Sequence, residues 1–265
     1  MLGKLLKYEI KATARTLLPL YLILFVVTVV NRFLNPFEIL ENAQGFNIQI
    51  LVNVLSVILY FTIAFSVMAA TFIIMIQRFY KNFLGDEGYL SFTLPVETWK
   101  HVLSKLLTSM MWIILSILAV IASIIIIADI DSLMSGFSTF LEEIGTTFGS
   151  GIYIMLPIYM LSGLTLAILV IYNSISIGHH FQNHKVLASF ATFGVFYLFT
   201  QIVLVIMLMI YVIMNYGSLA AAPINATTVP NAGILLGTVI AILLLMCIGH
   251  FISTNYFLKN KLNLE

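Results

Sequence analysis

VLASFATFGVFYLFTQIVLVIMLMIYVIMNYGSLAAAPINATTVPNAGILLGTVIAILLLMCIG, residues 186–249, contains no Asp, Glu, Lys, Arg or His in 64 positions. A helix that crosses the hydrocarbon core needs ~20 apolar residues, so this run is too long for one crossing and suits two. Its middle, NYGSLAAAPINATTVPN (residues 215–231), supplies the break, because Gly217, Pro223, Pro230 and the Asn residues mark a loop. Spans are expected at 186–214 and 232–251. Neither run alternates as a barrel strand does, and unpaired backbone groups are costly in lipid, so both read as helices.

Working outward, the same pattern recurs at 17–34, within 42–77, at 106–128 and within 144–178, for six spans in all. Composition agrees. Apolar types make up 61% of the 265 residues and charged types 9%, against about 45–50% and about 25% in ordinary soluble domains. The fold class expected is an all-α polytopic membrane protein, one transmembrane domain over 1–265. Cys247 has no second cysteine to pair with.

The formal net charge of +1 hides a segregation. Lys4, Lys7, Lys11, Arg15, Arg78, Lys81, Lys100, Lys105, Lys185, Lys259 and Lys261 fall on one side of the six spans. Arg32 falls on the other, with Glu38, Glu41, Asp129, Asp131, Glu142 and Glu143. The positive-inside bias then places both termini in the cytoplasm of a multi-pass cell-membrane protein, and segments 128–150 and 215–231 outside. The sequon Asn225-Ala226-Thr227 lies in the second outer segment. No small-residue cleavage pattern follows the first apolar stretch, so no signal peptide is expected to be removed.

Residues 1–16 form an amphipathic pattern. Leu2, Leu5, Leu6, Ile10 and Leu17 make one stripe, and Lys4, Lys7, Lys11 and Arg15 another at spacings of three, four and four. Such a segment is expected to lie in the membrane interface, its apolar face in acyl chains and its lysines among headgroups.

Ion-coupled transporters and proton pumps usually hold ionisable residues inside the membrane. Here only Arg32 and His250 come near, both toward span ends, with uncharged Asn53, Gln77, Asn173 and Gln201 the other notable polar groups; Asn53, Asn173 and Gln201 are expected to hydrogen-bond between helices. Gly163, Ser174, Ser176, Gly178 and Gly194 are expected to allow close helix approach. No phosphate-binding G-x-x-x-x-G-K-[ST] occurs. A chain that moves something uphill with neither an ion site nor a nucleotide loop must draw energy from a partner.

GHHFQNHK (residues 178–185) is the one group with catalytic flavour. His180 and His184 have the i, i+4 spacing that aligns two imidazoles on a helical face, with His179 adjacent. No H-E-x-x-H glutamate or further ligand lies near in sequence, so no metal site is expected. A polytopic membrane enzyme using these histidines is nevertheless a distinct reading, and a non-transporting membrane sensor another.

The loop between spans two and three, within 78–105, reads LGDEGYLSFTLPVETWK over residues 84–100. Asp86 suits an N-cap and Pro95 the first turn of the next helix. Tyr89, Leu90, Phe92, Leu94 and Trp99, flanked by Asp86, Glu87 and Glu97, put more apolar and aromatic surface into water than a connection needs. A docking surface with a polar rim is expected.

The pattern E-G-x-L-x-x-x-L-P, Glu87 to Pro95, ahead of a span in a six-span chain, resembles the membrane subunits of type-2 ABC exporters. The opening MLGKLLKYEIKATARTLLPLY is similar to the starts of such permeases in Gram-positive bacteria. The resemblance implies that Glu87, Gly88, Leu90, Leu94 and Pro95 belong to a coupling element that seats on separate ATPase subunits, and that His180 and His184 face the same partner. It also implies pairing with a second permease copy or paralogue. No cofactor is expected on this chain and no nucleic acid; ATP and Mg would bind the ATPase. The substrate expected is amphipathic or hydrophobic: a peptide, drug or lipid-like molecule.

Overall fold

A computed structural model describes residues 2–34, 48–84, 96–128, 130–181, 184–217 and 230–260, except the Ser132 side chain. Seven helices follow one another: α1 (Leu2–Leu34), α2 (Ile48–Leu84), α3 (Thr98–Ile127), α4 (Ile130–Phe148), α5 (Ile152–Gly178), α6 (Lys185–Met214) and α7 (Ala232–Asn260). All but α4 are long and apolar enough to cross a membrane, and no strand occurs among the described residues. The chain is an all-α polytopic membrane protein.

The helices set the bounds of three stretches read from the sequence. The interfacial segment 1–16 is not a separate helix, because α1 runs without interruption through Pro19. Its 33 residues reach ~50 Å at 1.5 Å per residue, well beyond a ~30 Å core. The loop within 78–105 is also shorter than expected, since α2 continues to Leu84 and α3 begins at Thr98. Most of segment 128–150 is the helix α4, which exposes Met134, Phe137 and Phe140 alongside Asp131, Glu142 and Glu143.

Where the sequence reads as one domain, the contacts separate two units: Met1–Arg78 with Leu107–Phe137, and Phe79–Leu106 with Ser138–Glu265. In the first, hydroxyl and indole groups join α1, α2 and α3. Trp112 Nε1 donates to Thr13 Oγ1 at 2.6 Å. Ser116 Oγ is 2.7 Å from Tyr21 Oη and 2.8 Å from Thr71 Oγ1, and Tyr60 Oη is 2.7 Å from Ser123 Oγ. Such bonds contribute about 0.6 kcal/mol each on average within a membrane, up to ~1.7. Between these rungs pack Leu17, Met75 and Trp112 in one cluster, and Leu24, Tyr60, Ala64, Val67 and Ile127 in another.

This packing changes the reading of the N-terminal stripe. Ile10 and Ala14 lie against the cluster of Leu17, Met75 and Trp112 rather than in acyl chains. Lys4, Lys7, Lys11 and Arg15 are all exposed, and Glu9 pairs with Arg78 at 3.5 Å. Arg32 Nη1 reaches the Ile127 carbonyl at 3.4 Å, where a cation complements the negative end of α3.

In the second unit α5 packs against both α6 and α7, which barely touch each other. α5 buries a dozen residues, whereas α6 buries none. The α4–α5 corner turns through Gly149 (φ +81°). Tyr153 Oη then donates to the Leu141 carbonyl at 3.0 Å, a contact that the missing side chain of Gly145 accommodates.

Candidate functional site

The last turns of α2 read FYKNFL (residues 79–84), with Phe79 and Phe83 one helical turn apart on the same face. Both are fully buried. Phe79 stacks on Tyr172 of α5, ring centroids 3.9 Å apart and planes 8° from parallel. Phe83 meets Phe79 edge-on at 5.1 Å and His101 of α3 at 6.3 Å and 90°. Lys105 Nζ lies 5.2 Å from the Phe83 ring centroid, a cation–π distance, and Lys105 is itself buried. The helical residues on either side of 85–95 thus meet at Phe83, and Phe79 seats that end of α2 on α5. Asp86, Glu87, Gly88, Tyr89, Leu90, Phe92, Leu94 and Pro95 lie outside the described residues.

Glu97 and Trp99, the other two candidates from this loop, are described and lie together. Glu97 Oε2 accepts hydrogen bonds from Lys100 Nζ at 2.7 Å and Trp99 Nε1 at 2.8 Å, and Lys100 Nζ sits 5.2 Å from the Trp99 ring centroid. The hydrogen bond from Lys100, then that from Trp99, hold the Glu97 carboxyl below the usual carboxylate range. Lys259 near the end of α7 adds to this field. Trp99 is 40% exposed, so the cluster presents an indole held in one orientation by a carboxylate.

The histidine turn departs from expectation. α5 ends at Gly178, with His179 as its C-cap, and α6 starts at Lys185, with His184 (φ −141°, ψ 51°) as its N-cap. The i, i+4 spacing of His180 and His184 therefore does not fall on a helical face. Both are exposed. His179 points elsewhere: its ring meets Tyr80 edge-on at 5.9 Å, and Lys185 Nζ donates to its Nε2 at 3.5 Å. Desolvation, then the Lys185 charge, push its pKa below the ordinary imidazole value. No three His, Cys, Asp or Glu side chains come together among the described residues.

Gly178 has a steric reason to be glycine. A Cβ there would lie 2.5 Å from the Ser189 nitrogen and 2.6 Å from its Cα, so α5 and α6 approach backbone to backbone. Gly163 and Gly194, expected to serve likewise, have nothing within 4 Å of such a Cβ.

One helical step beyond Tyr172, Asn173 carries the polar core of the second unit. Its Nδ2 donates to His250 Nδ1 at 2.9 Å, and its Oδ1 accepts from Ser253 Oγ at 2.9 Å. Phe196 of α6 meets the His250 ring edge-on at 4.8 Å. Asn173 bridges helices as expected. Gln201 does not, being exposed on α6, and Asn53 is buried with no partner for its Nδ2.

Sequence reasoning missed the aromatic seat, the buried state of Lys105 and a polar seam along α3. His101, Lys105, Thr108, Trp112, Ser116 and Ser123 are all buried. Their spacing of mostly three or four within an apolar span was the available signal. Nothing comparable marks Phe79 and Phe83 among 20 phenylalanines.

No family model matches the sequence, and no curated protein or solved structure matches it significantly.

Proposed function

We propose that this chain is the permease subunit of a type-2 ABC exporter, driven by a separate ATPase. The plasma membrane would hold it with both termini cytoplasmic, and it would pair with a second permease copy or paralogue. The observation that carries the reading is the clamp on the 85–95 loop. Phe83, before it, packs on His101, after it, and on Phe79, which stacks on Tyr172. A force applied to that loop meets close-packed rings rather than a slack connection, so within the second unit it is passed from residues 79–84 and 98–105 to α5.

Asn173 follows Tyr172 directly and is bonded to His250 and Ser253 on α7. Displacement of α5 at this level therefore reaches α7. Trp99, held by Glu97 beside Lys100, supplies an oriented aromatic of the kind that anchors protein interfaces. ATP binding by the partner would close it, push the loop, and alternate access for an amphipathic or hydrophobic substrate.

The test is co-purification with the candidate ATPase and reconstitution, comparing wild type with Glu87→Ala, Leu94→Ala and Trp99→Ala. The expected result is loss of the ATPase from the complex, or ATP hydrolysis no longer coupled to transport. Intact assembly with unchanged coupling in all three overturns the docking assignment.

A further inference from the structure

α6 and α7 touch at two levels, Phe196 against His250 near one end and a polar brace at the other. At that end Tyr211 Oη donates to the Pro230 carbonyl, and Asn231 Nδ2 donates to Asn215 Oδ1 at 2.8 Å. Asn231 holds its place at a backbone cost, since its φ of +53° is in the left-handed region, which residues other than glycine seldom adopt. Two functions stabilise it there. Its carbonyl accepts from the Ile234 and Leu235 amides and caps α7, while its side chain braces α6.

Below this brace lies a groove of about 520 Å3 between the two helices. On α6 it runs from Val203 to Asn215, ~18 Å at 1.5 Å per residue, close to the ~15 Å of one leaflet's hydrocarbon. Its walls are Val, Ile, Leu and Met, with no charged residue, and its free polar capacity sits at the Tyr211–Asn215–Asn231 end. The Thr238 hydroxyl, farther along, is spent on the Leu235 carbonyl.

We infer that this groove is a binding site for one acyl chain of a membrane phospholipid, with the lipid's glycerol-ester region at the braced end. Three observations select that occupant. The walls belong to membrane-spanning helices, so the open side meets hydrocarbon. The polar groups are confined to one end of an apolar trough, which matches an amphiphile lying along the helices. The lining is uncharged, so it recognises ester and glycerol oxygens through neutral donors and leaves the phosphate to solvent. The site does not depend on the partner ATPase.

The experiment reconstitutes the full chain in nanodiscs containing phosphatidylcholine with a diazirine at the end of one acyl chain, irradiates, and maps labelled positions. Labelling of Val203, Met207 and Ile242, toward the end of the groove away from Asn231, several-fold above Val205 and Met209, which project from other sides of α6, is the expected result. Met207→Trp and Leu235→Trp fill the groove and should remove the excess; Asn231→Gly keeps the backbone conformation, removes the brace, and should reduce it. Equal labelling at all five wild-type positions overturns the site. So does an excess seen only with a diazirine-bearing single-chain alcohol, which would assign the groove to a free amphiphile.

Discussion

Replacing Phe79 by Leu removes an aromatic face while keeping an apolar side chain in place, and the structure sets what this should cost. Phe79 is fully buried, Tyr172 is 2% exposed, and their rings are nearly parallel at 3.9 Å. Such a pair contributes about 0.5–1.5 kcal/mol beyond the area it buries. The single variants Phe79→Leu and Tyr172→Leu each lose more than that, because each also leaves imperfect packing. Only the double variant isolates the stack. A double-mutant cycle on reversible denaturation in mixed micelles should therefore return a coupling energy near 1 kcal/mol, about a fivefold change in the folded-to-unfolded ratio. A control cycle pairing Phe79→Leu with Ile242→Val, which lies in the α6–α7 groove, should be additive within about 0.3–0.5 kcal/mol. If the Phe79–Tyr172 cycle is equally additive, the rings do not act as a unit, and the aromatic seat loses its claim to transmit force.

Gly178→Ala should destabilise by about 1–3 kcal/mol, because the Ser189 backbone cannot yield. Gly163→Ala and Gly194→Ala meet open space in helix interiors and should stabilise by up to about 1 kcal/mol; thermal midpoints that rank all three alike would contradict the distinction. His179 is held below its ordinary value by desolvation and then by Lys185, so the fold favours neutral imidazole. The stability this carries is complete above about pH 6.5 and is lost as pH falls through the depressed folded value. Thermal scans should show wild type losing more stability than His179→Gln on acidification, and parallel pH profiles would count against it. Trp112→Phe removes the donor to Thr13 and should cost about 0.6–1.7 kcal/mol; the Thr13 hydroxyl still donates to the Glu9 carbonyl, so full recovery of stability on adding Thr13→Val would contradict this account.

Much of the fold was legible because a spanning helix is defined by one local quantity, an apolar run of sufficient length. Residues 186–249 show this most clearly: absence of charge sets two spans, and Gly, Pro and Asn set the break. Where periodicity met local chemistry, reading was less secure. The basic stripe Lys4 to Arg15 was visible and is exposed, yet Ile10 and Leu17 of its apolar counterpart pack with Met75 and Trp112. An amphipathic pattern records that one face is apolar and not what covers it. The spacing of His180 and His184 misled for a similar reason. It implies a shared face only if a helix continues, and α5 stops at Gly178.

By itself the sequence determined that lipid is the solvent and which six segments are long and apolar enough to cross it. These follow from the cost of placing charge and unpaired backbone in hydrocarbon, which each segment meets alone. Only the tertiary structure decided that Phe79 stacks on Tyr172 and carries Phe83 on its edge, that Asn173 joins His250 and Ser253, and that Gly178 matters sterically where Gly163 does not. In lipid, apolar side chains gain little by leaving their surroundings, so helix partners are chosen by shape and by a few hydrogen bonds. Those are relations between residues distant in sequence, and no single segment encodes them.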